Sequence, residues 1–330
     1  MNLVKSFIAL LIGLLVSFFA AEWVIANFGA VDTPPGLFQK TSTRPFVHRP
    51  FFKGKDRYRN PIIINSTGLR DSEYTFKKPE NVFRVLVLGD SVAFGDGVRS
   101  EDTFEKQMEG LWSLEAKNVE VLNAGVRGYN TASELALFKE VGLRYSPSLV
   151  IVAYVLNDAE PTSKQMGLID KKYSFLMTLK DYAKEHFYLY SLFRRCFEIA
   201  RHEASPKTFI ETYEDQFHPD HPGWKESYAS LEAIHRLANE NNIRLLLAVF
   251  PRLEGLRAGE VYPAQSIQNQ VLEAGRELGI DTFDLLPALK GQDEALLKIE
   301  ARDTFHPNRQ GHLLIARALK KVVDERYLNA

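Results

Sequence analysis

The sequence predicts an α/β fold, a three-layer α/β/α sandwich with a mainly parallel five-stranded sheet. Two observations predict it: short runs of mostly apolar residues, and helical patterns of apolar residues between them. Strands that are buried on both faces of a parallel sheet read as continuous apolar runs. Their alternation with helices favours a parallel sheet between two helical layers. The predicted strands are Val82 to Gly89, Val119 to Leu122, Leu149 to Val155, Ile243 to Phe250 and Thr282 to Leu285.

The helices predicted between these strands are Thr103 to Trp112, Thr131 to Leu143, Tyr228 to Asn239 and Ala264 to Leu278. One stretch interrupts the alternation, at about residues 159–225, and it is rich in Tyr and Phe. We interpret it as a helical insertion. Its aromatic residues are open to two interpretations, ordinary packing against the core or a lid over a substrate, because long insertions in compact domains are often functional.

Composition divides the chain into three parts. Residues 1–31 form an N-terminal membrane anchor or signal segment. Residues 32–81 form a lead-in segment with six prolines among basic and aromatic residues, and no sustained apolar period. Residues 82–330 form the α/β domain, which contains the insertion. The α/β fold is therefore expected to follow a transmembrane or signal helix.

The N-terminal segment carries no charge from Ser6 to Ala21. A membrane-spanning helix needs roughly 20 apolar residues, and the run reaches that length if it continues through Trp23 to Phe28. A signal peptidase requires small residues before its cleavage site, whereas Phe18 and Phe19 stand there. The sequence therefore favours an uncleaved single-pass anchor over a cleaved signal peptide, which would release a secreted protein.

Charge and cysteine content exclude several classes of partner. The 330 residues include 41 basic and 42 acidic ones, a formal net charge of -1. No overall positive field favours nucleic acid, so no nucleic-acid partner is expected. Cys196 is the single cysteine, which excludes an internal disulfide and a multi-cysteine metal cluster. No cofactor and no metal are predicted.

Polar residues and glycines follow the first three predicted strands, and a further polar group lies near the C-terminus. In open α/β sheets the ligand site lies at the carboxyl ends of the strands. A serine there attacks an acyl carbon if a base takes its proton and hydrogen-bond donors receive the negative charge on the oxygen. The four segments are Gly89-Asp90-Ser91-Val92-Ala93-Phe94-Gly95, Asn123-Ala124-Gly125-Val126-Arg127-Gly128, Asn157-Asp158 and Asp303-Thr304-Phe305-His306-Pro307-Asn308.

In that order, the segments resemble the four sequence blocks of the SGNH hydrolase superfamily, also called GDSL lipases and esterases. The resemblance covers the chain from about residue 82 to the end, without the insertion, and implies a flavodoxin-like sandwich. It implies Ser91 as nucleophile and His306 as its base. Asp303, three residues before the histidine, can bind the other imidazole nitrogen and fix the tautomer.

The resemblance also implies an oxyanion hole made of the backbone N–H groups of Ser91 and Gly125 and the side-chain amide of Asn157. Asp90 and Asp158 are expected to support these loops by accepting hydrogen bonds from backbone N–H groups, a common role of Asp in turns.

The third block departs from the family pattern. It usually reads Gly-x-Asn-Asp, whereas this chain reads Val155-Leu156-Asn157-Asp158.

The sequence disfavours two other types of site. Ala93 stands where the Gly-x-Ser-x-Gly elbow of α/β-hydrolases has its second glycine, and Ser100 stands where a dinucleotide-binding motif needs its third.

Other histidines are expected to have structural roles. His218-Pro219 and His221-Pro222 are expected in a surface loop of the insertion, where they and Asp220 are a weak metal motif. His312 follows Gly311 at the start of the last helix, where we expect a helix-start or supporting residue and not a second base.

We therefore expect a serine ester hydrolase that acts through an acyl-enzyme on an O-acyl ester of a lipid or carbohydrate. The membrane is its expected partner through the N-terminal helix, with the catalytic domain on the periplasmic or extracellular side of a bacterial-type cytoplasmic membrane. One alternative is an acyltransferase that uses the same site to acylate a cell-envelope sugar. The other is a non-catalytic binding or assembly protein on the same fold, because function resides in sites and not in folds.

Overall fold

The computed structural model of the chain describes residues 2–28, 31, 33–162, 174–203 and 209–328. In chain order the strands are β1 Phe38–Gln39, β2 Val47–His48, β3 Lys53–Lys55, β4 Pro61–Ile63, β5 Phe83–Gly89, β6 Val119–Gly125, β7 Leu149–Tyr154, β8 Arg244–Val249 and β9 Asp281–Asp284. The helices are α1 Asn2–Phe28, α2 Ser91–Phe94, α3 Phe104–Leu114, α4 Thr131–Glu140, α5 Ser174–His186, α6 Tyr188–Glu203, α7 Phe209–Gln216, α8 Pro222–Glu240, α9 Gln265–Glu277, α10 Leu286–Leu289 and α11 Arg309–Val323.

The central sheet has five parallel strands in the spatial order β6-β5-β7-β8-β9. Its inner strands are buried along nearly their whole length, because helices pack on both faces. The predicted three-layer sandwich is confirmed. The order brings the carboxyl ends of β5, β6 and β7 side by side, so the loops that follow them meet at one edge of the sheet.

Strand β6 extends to Gly125, three residues beyond the predicted end at Leu122. The polar Asn123 could continue the strand because its side chain is fully bonded inside the protein. Its Nδ2 donates to the carbonyl of Ala93 at 2.6 Å, and its Oδ1 accepts from the N–H of Gly125 at 2.9 Å. A strand can therefore bury a polar residue that the apolar pattern alone would have excluded.

Helix α8 begins at Pro222, six residues before the predicted start at Tyr228. His221 caps it, since its Nδ1 accepts a hydrogen bond from the N–H of Gly223 at 3.1 Å, and Pro222 suits the first helical position. His221 thus lies in the turn before the helix, whereas Pro222, which was expected in the same surface loop, is its first residue. His218 is exposed, and its Nδ1 accepts from the N–H of Asp220 in the preceding turn.

The lead-in forms two small antiparallel pairs, β1 with β2 and β3 with β4. Three of its aliphatic side chains are buried with Phe94 of the turn that follows β5, namely Leu37, Ile62 and Ile64. The lead-in therefore packs against the loop at the carboxyl end of the central strand.

In the described part of the insertion the chain forms helices α5, α6 and α7. Tyr173 lies outside the described residues. Tyr213 of α7 packs in the core, whereas Tyr182 of α5 and Phe193 and Phe197 of α6 are exposed. Core packing therefore accounts for only some of these aromatic side chains.

Helix α1 is long and apolar enough to cross a membrane, and within the described ranges it is the one helix of this kind. Its first residues stand clear of the domain. Its last third packs on the domain through Phe18, Ala21, Glu22 and Ile25, which recur on one helix face.

Candidate active site

Ser91 is the first residue of the short helix α2, directly after the central strand β5. Asp90 caps this helix through its Oδ1, which accepts from the N–H of Val92 at 2.8 Å. The turn is tight, because a Cβ on Gly89 would lie only 2.7 Å from the Cβ of Ala93. The turn thus places the serine at the carboxyl edge of the sheet.

Ser91, His306 and Asp303 form one hydrogen-bonded chain. The Ser91 Oγ lies 2.8 Å from Nε2 of His306, and Nδ1 of His306 lies 2.8 Å from Oδ2 of Asp303. The other carboxylate oxygen of Asp303 accepts from the N–H groups of Phe305 and His306, each at 2.9 Å. The carboxylate therefore holds the imidazole with Nδ1 protonated, which leaves Nε2 able to accept the serine proton.

The charges of the site favour a protonated His306. Burial lowers its pKa, but the hydrogen bond and charge of Asp303, together with the charges of Asp96 and Asp90, raise the pKa above the usual 6.5. Burial raises the pKa of Asp303, yet the bonds from His306 and Phe305 bring it down to about 2. An imidazolium that forms by taking up a proton is thus stabilised.

Asn157 lies beside the serine turn despite the changed third block. It stands in a 3-10 turn after β7, and its Nδ2 donates to Oδ2 of Asp90 at 2.8 Å. Asp158 Oδ2 accepts from the N–H of Val155 at 2.9 Å and holds this turn. Val155 thus ends the strand without moving the amide away from the serine. Both aspartates accept hydrogen bonds from backbone N–H groups.

Gly125, the second expected oxyanion donor, ends β6 directly beside the helix that carries Ser91. The N–H donates to Oδ1 of Asn123 at 2.9 Å, so it already has an acceptor. Glycine is required at this position for another reason. A Cβ would lie 2.2 Å from the backbone nitrogen of Phe94 and 2.5 Å from the carbonyl carbon of Ala93. Gly125 lets β6 approach the helix that carries Ser91.

A buried carboxyl group not singled out in the sequence lies near Asp90 and Asp158. Neither carboxyl oxygen of Glu134, on α4, has a hydrogen-bond partner within the described ranges. Burial, followed by the charge of Asp90, raises the pKa of Glu134 well above its usual range. Burial and the charge of Glu134 likewise raise the pKa of Asp158. The carboxyl groups of Glu134 and Asp158 therefore favour their neutral, protonated forms.

His312 is fully buried and has a structural role. Its Nδ1 accepts from the N–H of Phe104 at 3.1 Å, at the start of α3. Burial, aided by the charges of Arg70 and His306, lowers its pKa to about 3, so it stays neutral. As the sequence predicts, it supports the fold and is not a second base.

The site opens into a cavity of about 300 Å³ whose wall comes from five parts of the chain. Arg57, Arg194 and Arg195 were not predicted as site residues, because they lie in segments without a recognisable pattern. Arg127 belongs to the second block, so its position in the loop after a strand was a usable indication. Asp96 binds it at 2.8 Å and lies 3.8 Å from Nε2 of His306. The described lining residues include Arg57 and Tyr58 of the lead-in, Asp96, Arg127, Ser191, Arg194 and Arg195 of α6, Ile299, Asp303 and His306.

A known protein family matches the part of the chain that contains the candidate site residues. Residues 87–314 match the sequence profile of the GDSL-like Lipase/Acylhydrolase family. No curated protein matches the chain. Among solved structures it is similar to the acetyl xylan esterase AlAXEase, at 16% identity over 73% of this chain and 99% of that one, with a TM-score of 0.45. It is also similar to the acetylxylan esterase Axe2 from Geobacillus stearothermophilus (16% identity, 72% and 92% covered, TM-score 0.45).

A further similar structure is the psychrotrophic esterase EstA from Pseudoalteromonas sp., at 13% identity over 75% of this chain and all of that one, with a TM-score of 0.44. The profile match covers well over half of the chain and includes the serine, asparagine, aspartate and histidine segments. The chain belongs to the GDSL-like lipase/acylhydrolase family.

Proposed function

We propose that this protein is a serine ester hydrolase that forms an acyl-enzyme at Ser91 and removes a short acyl group from a polar carrier such as a carbohydrate. The observation that supports it best is the hydrogen-bonded chain from Ser91 through His306 to Asp303, with both distances at 2.8 Å. A nucleophile, a base and a group that orients the base are the elements that activate a serine.

In the first half of the reaction, Ser91 Oγ attacks the acyl carbon while Nε2 of His306 takes its proton. The tetrahedral intermediate collapses as the same nitrogen returns the proton to the leaving alcohol oxygen, and the acyl group stays on the serine. In the second half, water attacks the acyl-enzyme and gives its proton to Nε2. Collapse then returns that proton to Ser91 and releases the carboxylic acid.

The negative charge on the carbonyl oxygen needs hydrogen-bond donors near Ser91. The N–H of Ser91 lies in the first turn of α2, where N–H groups have no acceptor within the helix. Asn157 uses one hydrogen of its Nδ2 for Asp90, and the second is assigned to the oxyanion. The N–H of Gly125 is the position to test for a third donor, although it bonds to Oδ1 of Asn123 at 2.9 Å in the structure.

The polar carrier is inferred from the wall of the cavity. Charged and hydroxyl side chains predominate there, and Ile299 is the one aliphatic side chain among its described lining residues. A long acyl chain would need an apolar surface to leave water, whereas sugar hydroxyl groups can bond to arginine and carboxylate groups. The cavity therefore suits a short acyl group on a carbohydrate better than a fatty acyl ester.

The N-terminal helix is assigned as an uncleaved membrane anchor, with the α/β domain on the outer side of the cytoplasmic membrane. Its length and apolar composition support the anchor. Lys5 precedes the span and Lys40, Arg44 and Arg49 follow it, so the side is assigned from the membership in a family of ester hydrolases and not from the basic residues.

The decisive experiment uses the full chain, purified in detergent, with aryl esters of graded acyl length and a serine-directed phosphonate. We expect hydrolysis to be fastest with the acetate, the phosphonate to be found on Ser91 by peptide mapping, and Ser91→Ala to lose both. Ser113→Ala, at an exposed serine of α3, is the matched control and should behave as wild type. Equal hydrolysis by Ser91→Ala and wild type would contradict the proposal, and transfer of the acetyl group to an added sugar in preference to water would identify a transferase.

A further inference from the structure

Helix α6 has two different faces. Ser191, Arg194 and Arg195 line the cavity that contains His306. The opposite side exposes Leu189, Phe193, Cys196 and Phe197, which recur at the spacing of one helix face. The same helix thus forms part of the candidate active site and carries an apolar stripe that faces away from it.

This stripe is unusually apolar for a solvent-facing surface. Phe193 is 70% exposed and Phe197 is 61% exposed. Scattered exposed apolar residues are common, but a contiguous row of large ones marks an interaction surface.

The start of α6 is fixed to the anchor helix α1. The two carboxylate oxygens of Glu22 accept hydrogen bonds from the N–H groups of Tyr188 and Leu189, each at 2.8 Å. The rings of Phe18 and Phe187 pack edge to face at 5.2 Å. A carboxylate at a helix N-terminus satisfies N–H groups that lack an acceptor within the helix. The contacts with Phe18 and Glu22 therefore fix the N-terminal end of α6 at one position along the axis of α1.

This position on α1 lies near the end of the proposed membrane span. About 20 residues cross the hydrocarbon core, so a span that begins after Lys5 ends near Ile25, within one helical turn of Glu22. Trp23, exposed on α1, is a residue type that prefers the membrane interface. The N-terminus of α6 would then lie among the lipid headgroups. Phe193 and Phe197 follow Leu189 at about 6 and 12 Å along the helix, from its rise of about 1.5 Å per residue.

We propose that α6 lies in the lipid interface on the domain side of the membrane, with its stripe of Leu189, Phe193, Cys196 and Phe197 inserted between the lipids. The inference rests on the proposed anchor and does not depend on the ester chemistry. An amphipathic helix buries its apolar face at the headgroup boundary in this way. The cavity on the other side of α6 is then held about one helix diameter, about 10 Å, from the lipid, where it receives esters displayed at the membrane surface.

Cys196 allows a direct test, because it is the single cysteine of the chain and belongs to the stripe. The full chain, reconstituted in phosphatidylcholine and phosphatidylglycerol vesicles, carries a nitroxide on Cys196. Its collision rates with oxygen, which partitions into lipid, and with a water-soluble nickel complex are then compared. The matched control is Leu114→Cys in a Cys196→Ser background. Leu114 is exposed and lies before the first residue of β6, at the amino ends of the strands, whereas the cavity lies at their carboxyl ends.

We expect the ratio of oxygen to nickel collisions to be several-fold higher at Cys196 than at Leu114→Cys. Equal ratios would overturn the proposal. Low collision rates with both reagents, with spin–spin broadening that disappears on dilution with unlabelled protein, would assign the stripe to a second copy of the chain and would also overturn it.

A double substitution tests whether the aromatic rings hold the helix in place. Phe193→Ser with Phe197→Ser should lower the collision ratio at Cys196 toward that of the control. Hydrolysis of a soluble aryl acetate in detergent should be unchanged, which shows that the variant is folded. An unchanged ratio in a folded variant would contradict the proposal. Absence of hydrolysis in the wild-type protein, with its collision ratio at Cys196 still high, would refute the proposed ester chemistry and leave the membrane contact supported.

Discussion

The role assigned to Asp303 can be tested by Asp303→Asn, which removes one charge and keeps the size of the side chain. The amide oxygen can still accept from the N–H groups of Phe305 and His306, which now lie 2.9 Å from Oδ1. The 2.8 Å bond to Nδ1 of His306 loses its carboxylate acceptor. We expect kcat/KM for an aryl acetate to fall by about 10⁴-fold, the usual effect of this change in a serine triad, or about 5.4 kcal/mol of transition-state stabilisation at 1.36 kcal/mol for each tenfold.

The pH dependence provides a second and independent readout. His306 must be neutral to take the serine proton, so kcat/KM should rise with pH as the imidazole loses its proton. The pKa of His306 is raised above 6.5, so the midpoint of this acid limb should lie above pH 6.5 in the wild type. In Asp303→Asn the hydrogen bond and charge that raise the pKa are lost while the burial that lowers it remains. The acid limb should therefore move to lower pH.

Asp96→Asn is the matched control, because Asp96 lies 3.8 Å from Nε2 of His306 and does not orient the ring. It should move the acid limb in the same direction and by less, with a much smaller loss at the pH plateau. Full profiles of kcat/KM against pH for the three proteins decide the question. A plateau for Asp303→Asn within tenfold of wild type, together with an unmoved acid limb, would refute the assignment of Asp303.

Three further predictions concern the oxyanion donor, the serine turn and the anchor. Asn157→Ala should fold normally and slow turnover by about 10²- to 10³-fold, the usual cost of one oxyanion donor; wild-type turnover would remove that role. Arg70→Gln should lower the free energy of unfolding by about 3 kcal/mol, since it withdraws buried donors from four carbonyl groups; an unchanged denaturation midpoint would contradict this. Protease added to intact spheroplasts should digest the α/β domain. Protection until lysis would reverse the orientation, and a soluble form beginning near Glu22 would reveal a cleaved signal peptide.

Much of the site could be predicted because its residues lie directly after strands. Ser91 follows the apolar run of β5, and Asn157 follows that of β7. The carboxyl ends of neighbouring parallel strands meet in space, so a sequence that reveals the strands also reveals which loops converge. Asp303 and His306, three residues apart, bind each other within one loop, and this local geometry is readable from spacing.

The oxyanion donors were harder to predict, because a backbone N–H group has no signature in the sequence. Gly125 stands in the second block, yet its N–H bonds to Asn123 and its missing side chain makes room for α2. A glycine can be required by a close approach, by a positive φ angle or by a ligand. The sequence alone does not distinguish these reasons, whereas the coordinates show the close approach of β6 to α2 at this glycine.

The lead-in had no periodic pattern, so no role in the site could be predicted for it. In the structure its Arg70 is fully buried and donates to the carbonyl groups of Phe94 and Gly95, directly behind Ser91. Asp71 accepts from the N–H of Asn123 at 2.8 Å.

These bonds join the lead-in to the turn that carries Ser91 and to strand β6, although composition separates residues 32–81 from residues 82–330. A fragment that began at Val82 would lose the hydrogen bonds from Arg70 to the carbonyl groups of Phe94 and Gly95 and the aliphatic side chains that cover Phe94; a hydrogen bond from a charged group contributes about 1.5 to 3 kcal/mol. The boundary between the two segments is therefore one of sequence pattern and not of packing. The serine turn and the lead-in should unfold together.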